Sequence, residues 1–325
     1  MEDLPLESQW VTLSKPLAIV ACIFMALFYV AVLYTPTLIL RLPPPESFQH
    51  LMIRRFACSA VSTLTSILLV TFLLPITVGS VDVAELFSIF GIRLDHLWEA
   101  TVFPLLLTST VYAGSVGLKL NSLFNLFKEH AGKDGSSFWL FIQGICAVNV
   151  EIEHSTSHNI LAWRNYIVAP LTEELVFRAC MISLLLCGGF GVHSVIFLSP
   201  VLFSLAHLNH WTEAYVRSKY RLLKTLMVVG LQLGYTVIFG SYASFLYLRT
   251  GHLLSPFAAH VFCNFMGLPV IYAGRKGILF VSLAGLGAFF GLLVSFTRPS
   301  LFNDMTLKCH CWHGYCSWTS ALYCN

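Results

Sequence analysis

Long apolar runs decide what this chain can fold into. A bilayer core of about 30 Å takes roughly 20 apolar residues of helix. The sequence supplies candidate runs at about 16–40, 57–79, 100–118, 160–187, 193–208, 224–248, 255–273 and 277–297. In lipid every backbone polar group must be satisfied internally, so such runs predict helices. We expect an all-α, polytopic membrane bundle of about eight transmembrane helices, the fourth interrupted by charge and the fifth short. Composition agrees: only 11% of residues are charged and the mean hydropathy is +0.75, against about 25% charged residues in soluble domains. The net charge is +3 and no basic cluster interleaves with aromatics, so no nucleic-acid partner is expected.

The first run follows Glu2, Asp3 and Glu7. A cleavable signal has a basic start, so this run is expected to stay as a span. Basic loops stay cytoplasmic. The eight-span reading puts Arg41, Arg54, Arg55, Lys119, Lys128, Lys133, Arg217, Lys219, Arg221, Lys224, Arg275 and Lys276 on that side. Asp82, Glu85, Asp95 and Glu99 fall on the other, as do both termini. "FWLFIQGICAV" (138–148) is too short to cross and reads as interfacial or re-entrant. We expect one integral-membrane domain over 1–325, with its polar motifs within 160–273 and a Cys/His-rich tail at 299–325. Gly230 with Gly234, and Gly287 with Gly291, have the spacing of close helix contacts. Cys22, Cys58, Cys146, Cys180, Cys187 and Cys263 lie in apolar stretches and are expected as small buried hydrophobes.

Against this background "APLTEELVFR" (169–178) is an anomaly. An ionised residue at the centre of a membrane helix costs about 2.5–3.5 kcal/mol on insertion scales. Glu174 and Arg178 are spaced i,i+4 with the acid first, the better orientation for an ion pair. Glu173 points about 100° away and has no such partner in its own helix. Candidates lie in "FSLAHLNH" (203–210), with His207 and His210, and in "SPFAAHVFCN" (255–264), where His260 and Asn264 share a helix face. His210 reads as interfacial. Each motif follows a proline: Glu173 lies 3 residues after Pro170, His207 lies 7 after Pro200, and His260 and Asn264 lie 4 and 8 after Pro256. Proline suits the first helical position and serine the N-cap, so three helices are expected to start at these dipeptides and each present one polar stripe. The span boundaries place Glu173 and Asn264 near mid-membrane but His207 near the cytosolic end, so either the proline-started helices are broken and offset or the boundaries lie elsewhere. A carboxylate base, two imidazoles and an amide donor are what hydrolysis of an acyl bond needs.

The motifs resemble a known family. "EELVFR" (173–178), "FSLAH" (203–207) and "HVFCN" (260–264) are similar, in order and spacing, to the Glu-Glu-x-x-x-Arg, Phe-x-x-x-His and His-x-x-x-Asn motifs of the type II CAAX prenyl endopeptidases, within the glutamic intramembrane proteases. The resemblance spans about 90 residues and does not reach the first 150 or the tail. It implies removal of the last three residues from farnesylated or geranylgeranylated CAAX proteins, such as small GTPases, in the endoplasmic reticulum membrane. It implies that Glu173 activates the attacking water and His207 holds or polarises it. His260 and Asn264 would stabilise the oxyanion, while Glu174 and Arg178 shape the site. No cofactor is implied.

Other readings stay open at this level. Glu173, His207 and His260 are possible Zn²⁺ ligands, although the chain has no H-E-x-x-H pair. A cysteine nucleophile would be Cys263 or Cys180. A proton-coupled transporter also uses intramembrane Glu, Arg and His, and a non-catalytic scaffold would keep them for packing. In the tail, "CHCWHGYC" (309–316) is compatible with a metal site or with disulfides.

Overall fold

The computed structural model describes residues 13–74, 87–130, 156–219, 221–272, 274 and 276–302. The 138–148 segment and the cysteine-rich part of the tail lie outside these residues. The described chain is helical, with no strand among its elements. The helices are α1 (Lys15–Leu38), α2 (Phe48–Leu73), α3 (Leu97–Val111), α4 (Ala113–His130), α5 (156–187), α6 (Val192–Ala206), α7 (Trp211–Arg217), α8 (Leu222–Thr250), α9 (Leu254–Met266) and α10 (Lys276–Phe296).

Five of these, α1, α2, α6 with its following turn, α8 and α10, are long and apolar enough to cross a membrane. The bent pair α3–α4 makes a sixth if it counts as one span. The remaining two of the eight expected spans differ for physical reasons. Helix α9 has 13 residues, roughly 20 Å of rise, which falls short of the bilayer core. Helix α5 is an unbroken helical run, but two π segments interrupt its α-helix, at Arg164–Val168 and Leu175–Cys180. The surface is inverted relative to a soluble protein: Phe72 is 86% exposed while Ser62 and Ser244 are fully buried. Outward apolar side chains and inward hydroxyls are what a lipid solvent selects. The chain is a multi-pass helical membrane protein.

The main apolar core gathers α1, the ends of α2 and α6, and the fully buried 176–186 stretch of α5. Helix α6 lies along α8, and α3 packs against α9 and α10. Two expectations about local devices fail here. Ser199 and Ser255 do not cap helices. Pro200 lies inside α6, Pro256 is preceded by no side-chain cap, and Pro170 continues a helical run. The serine hydroxyls donate to carbonyls of neighbouring helices instead, Ser199 to Phe177 and Ser255 to Ala100. A buried hydroxyl without water gains most from such a bond. The four glycines with close-packing spacing have no neighbour within 4 Å of a built Cβ. The close approaches are made by Gly285, where a Cβ would lie 2.6 Å from Ala113 Cβ, and by Gly114, 2.6 Å from Val270 O.

One end of the bundle is tied by loops. Leu253 N–H donates to Gly91 O at 2.8 Å. Gly91 has φ +67°, and a Cβ there would lie 2.9 Å from Leu253 N, so this corner requires glycine. Arg93 holds Asp95 and donates to Phe302 O at 3.1 Å, while His252 Nε2 is 4.0 Å from Asp95.

Candidate active site

Helix α5 carries the double glutamate between its two π segments. The six α-helical residues Ala169–Glu174 leave Glu173 and Glu174 about 100° apart. Their fates diverge accordingly. The Glu174 side chain is fully buried and its Oε2 lies 3.2 Å from Arg178 Nε, itself fully buried. The expected ion pair is present, and it is a charge contact without hydrogen-bond alignment. The Arg178 guanidinium lies over the Phe203 ring, 4.6 Å from its centroid, a cation–π contact. Gly240 leaves it room, since a Cβ there would come within 3.2 Å of Nη2.

Glu174 does more than pair with Arg178. Its Oε1 meets His260 Nδ1 at 2.7 Å. A carboxylate accepts, so Nδ1 donates, and Nε2 is turned the other way. That nitrogen lies 3.8 Å from Glu173 Oε2. The imidazole, also held against the Phe239 ring at 5.0 Å between centroids, thus bridges the two carboxylates across the α5–α9 interface. Of those two carboxylates only Glu173 reaches open space, with 18% of its side chain exposed. It lines a cavity of about 450 Å³ between α1, α2, α5 and the end of α6.

His207 lines the same cavity. It opens the 3₁₀ turn that ends α6, and its Nδ1 donates to Phe203 O at 3.0 Å, which makes Nε2 the accepting nitrogen. The structure thus sets His207 and Glu173 on one cavity.

Asn264 lies one turn beyond His260 on α9, and its Nδ2 donates to Asn165 O at 2.8 Å. The local sequence explains why that carbonyl is available. Ala169 N–H goes to Arg164 O in the π segment. The next residue, Pro170, has no N–H to give. Asn165 O therefore lacks a helical donor and is open to the Asn264 amide. Residue spacing alone did not reveal Asn165, Phe239, Tyr29 or Thr172. The last two bond to each other at 2.9 Å on the cavity wall. Pro170 was the one available signal, as a proline that frees a carbonyl rather than starting a helix. A second, apolar groove of about 370 Å³ runs along α9, lined by Leu105, Tyr166, Phe257, Val261 and Phe265 among others.

Among the described residues no three His, Cys, Asp or Glu side chains are arranged to hold a metal ion. Cys180 is fully buried and Cys263 nearly so.

Comparison with known proteins gives the family. Residues 156–266 match the family described as Type II CAAX prenyl endopeptidase Rce1-like. The chain is 52% identical to CAAX prenyl protease 2 of Arabidopsis thaliana over 308 residues, covering 94% of this chain and 98% of that one. The chain belongs to the type II CAAX prenyl endopeptidases. It is also 30% identical to CAAX prenyl protease 2 of Homo sapiens, over 89% of this chain and 84% of the relative. The Caenorhabditis elegans protein of that name is 31% identical, over 70% and 74%. No solved structure matches. The matched segment of this endopeptidase contains Glu173, Glu174, Arg178, His207, His260 and Asn264. The protein is a membrane-embedded protease, a hydrolase of peptide bonds.

Proposed function

We propose that the protein removes the C-terminal tripeptide from farnesylated or geranylgeranylated CAAX proteins, small GTPases among them, in the endoplasmic reticulum membrane, by glutamate-activated water and without a metal. The observation that carries this reading is the division of labour in the cluster. Glu174 is buried and fixed by Arg178 and His260, while Glu173 faces the cavity.

In the proposed reaction Glu173 takes a proton from water. The oxygen adds to the scissile carbonyl carbon, the carbonyl becomes an oxyanion, and collapse breaks the C–N bond. Glu173 then returns the proton to the departing amine, giving a prenylcysteine carboxylate and a free tripeptide. His207, with Nε2 accepting, orients the water from the same cavity. The second N–H of the Asn264 amide is a donor for the oxyanion. His260 serves the same end, anchored through Nδ1 by Glu174 with its other ring nitrogen on the Glu173 side. The isoprenoid takes the apolar groove on α9, whose lining requires no polar partner.

The test is cleavage of a farnesylated CAAX peptide by the purified protein in detergent. Wild-type activity that survives a strong chelator and vanishes in Glu173→Gln supports the reading. A folded wild type that cuts nothing overturns it.

A further inference from the structure

Two arginines stand at the cavity that holds Glu173 and belong to none of the three motifs. Arg55 comes from α2 and is exposed; Arg164 opens the first π segment of α5 and is half-buried. Among the described residues neither is paired with a carboxylate. Leu33, Met52 and Phe56 give the same cavity apolar surface. The cavity thus carries two guanidiniums and a single carboxylate on a lining of mixed polarity. Its 450 Å³ lies within the roughly 300–1,000 Å³ of small-ligand sites.

From this arrangement we infer that Arg55 and Arg164 bind the free α-carboxylate of the substrate's last residue. The inference rests on the endopeptidase reading and names what selects a C-terminal tripeptide. Nine residues separate Arg164 from Glu173, at most roughly 13 Å of helical rise. Three extended residues span roughly 10 Å, and an arginine side chain covers the remainder. A peptide whose scissile bond lies at Glu173 therefore delivers its terminus to the arginines when three residues follow the cut. A guanidinium meets a carboxylate with two parallel N–H bonds. Holding the carboxylate near the exposed end of the cavity also avoids burying it beside Glu173, where like charges repel. The apolar part of the lining accommodates two aliphatic side chains.

The test compares a farnesylated peptide ending in a free carboxylate with the same peptide ending in a carboxamide. For the wild type we expect kcat/KM on the acid to exceed that on the amide by roughly 10- to 100-fold, mostly through KM. In Arg55→Gln/Arg164→Gln that ratio should fall toward one, and in the double lysine variant part of it should return. The lysine variant and the wild-type comparison keep the test open if the glutamine variant fails to fold. Equal cleavage of acid and amide by the wild type overturns the inference, as does an undiminished ratio in a folded glutamine variant. In both cases peptide is still cut, so the endopeptidase reading stands. A wild type that cuts neither peptide overturns that reading and this inference with it.

Discussion

Glu174 Oε1 and His260 Nδ1 lie 2.7 Å apart, joining residues 86 positions apart in the chain across the α5–α9 interface. This contact sets the direction of the imidazole, and Arg178 holds Glu174 in place from the other side.

Removing the Glu174 charge should therefore be costly twice. Glu174→Ala leaves the fully buried Arg178 without its counter-ion, which costs about 3–5 kcal/mol where a buried pair is broken. Thermal unfolding in detergent should show a large drop. Adding Arg178→Met should recover much of the stability but not the activity, because His260 still lacks its anchor.

Glu173→Gln should behave oppositely. The side chain is partly exposed and its contact with His260 is 3.8 Å, so the melting temperature should move little. Turnover of a farnesylated peptide should fall at least ~1,000-fold if Glu173 is the base.

Asn264→Asp keeps the shape and removes both N–H donors, setting a carboxylate against Asn165 O. A loss of about 10²–10³ in kcat is expected for a missing oxyanion donor, with KM changed less. Unaltered kcat would remove Asn264 from the mechanism.

Glycine substitutions should separate tight from open positions. Gly285→Ala places a methyl 2.6 Å from Ala113 Cβ, and overpacking of this kind costs about 1–3 kcal/mol. Gly287→Ala, two residues on, meets nothing within 4 Å and should leave the melting temperature unchanged or slightly raised.

The loop corner should be sensitive to acid. Burial, with help from Arg93, pushes His252 down to about 4, while Asp95 pulls weakly the other way. The folded state therefore holds this imidazole neutral, and the unfolded chain binds a proton near pH 6.5. Stability is full above about 6.5 and is lost as pH falls toward about 4, by at most about 3 kcal/mol. His252→Gln should flatten the fall in melting temperature across that window.

Much of this was legible in the sequence. The i,i+4 spacing of Glu174 and Arg178 identified their ion pair, and the lack of a helical partner for Glu173 directed attention to His260. The helical class followed from run lengths. What was not legible depended on departures from the ideal helix. Periodicity assumes 3.6 residues per turn, so π segments leave no trace in it, and the carbonyl of Asn165 stayed hidden with them. Hydropathy counted α9 as a span because it measures apolar length, not where Gly267 stops the helix. Glycine spacing predicted close approach at Gly230 and Gly287, but contact depends on which helix lies opposite, and that is set by the whole bundle.

The first π segment has a consequence for angular phase. In an ideal α-helix the nine steps from Arg164 to Glu173 turn through about 900°, leaving the two side chains on opposite faces. A π segment takes in one extra residue, which removes about 100° and brings the pair to within roughly a quarter turn. Both then line one cavity. The inserted residue thus works as a rotation of everything before it relative to everything after. Deleting Ile167, which does not line the cavity, would leave every side chain of the cavity in the chain, yet turn the cation away from the base.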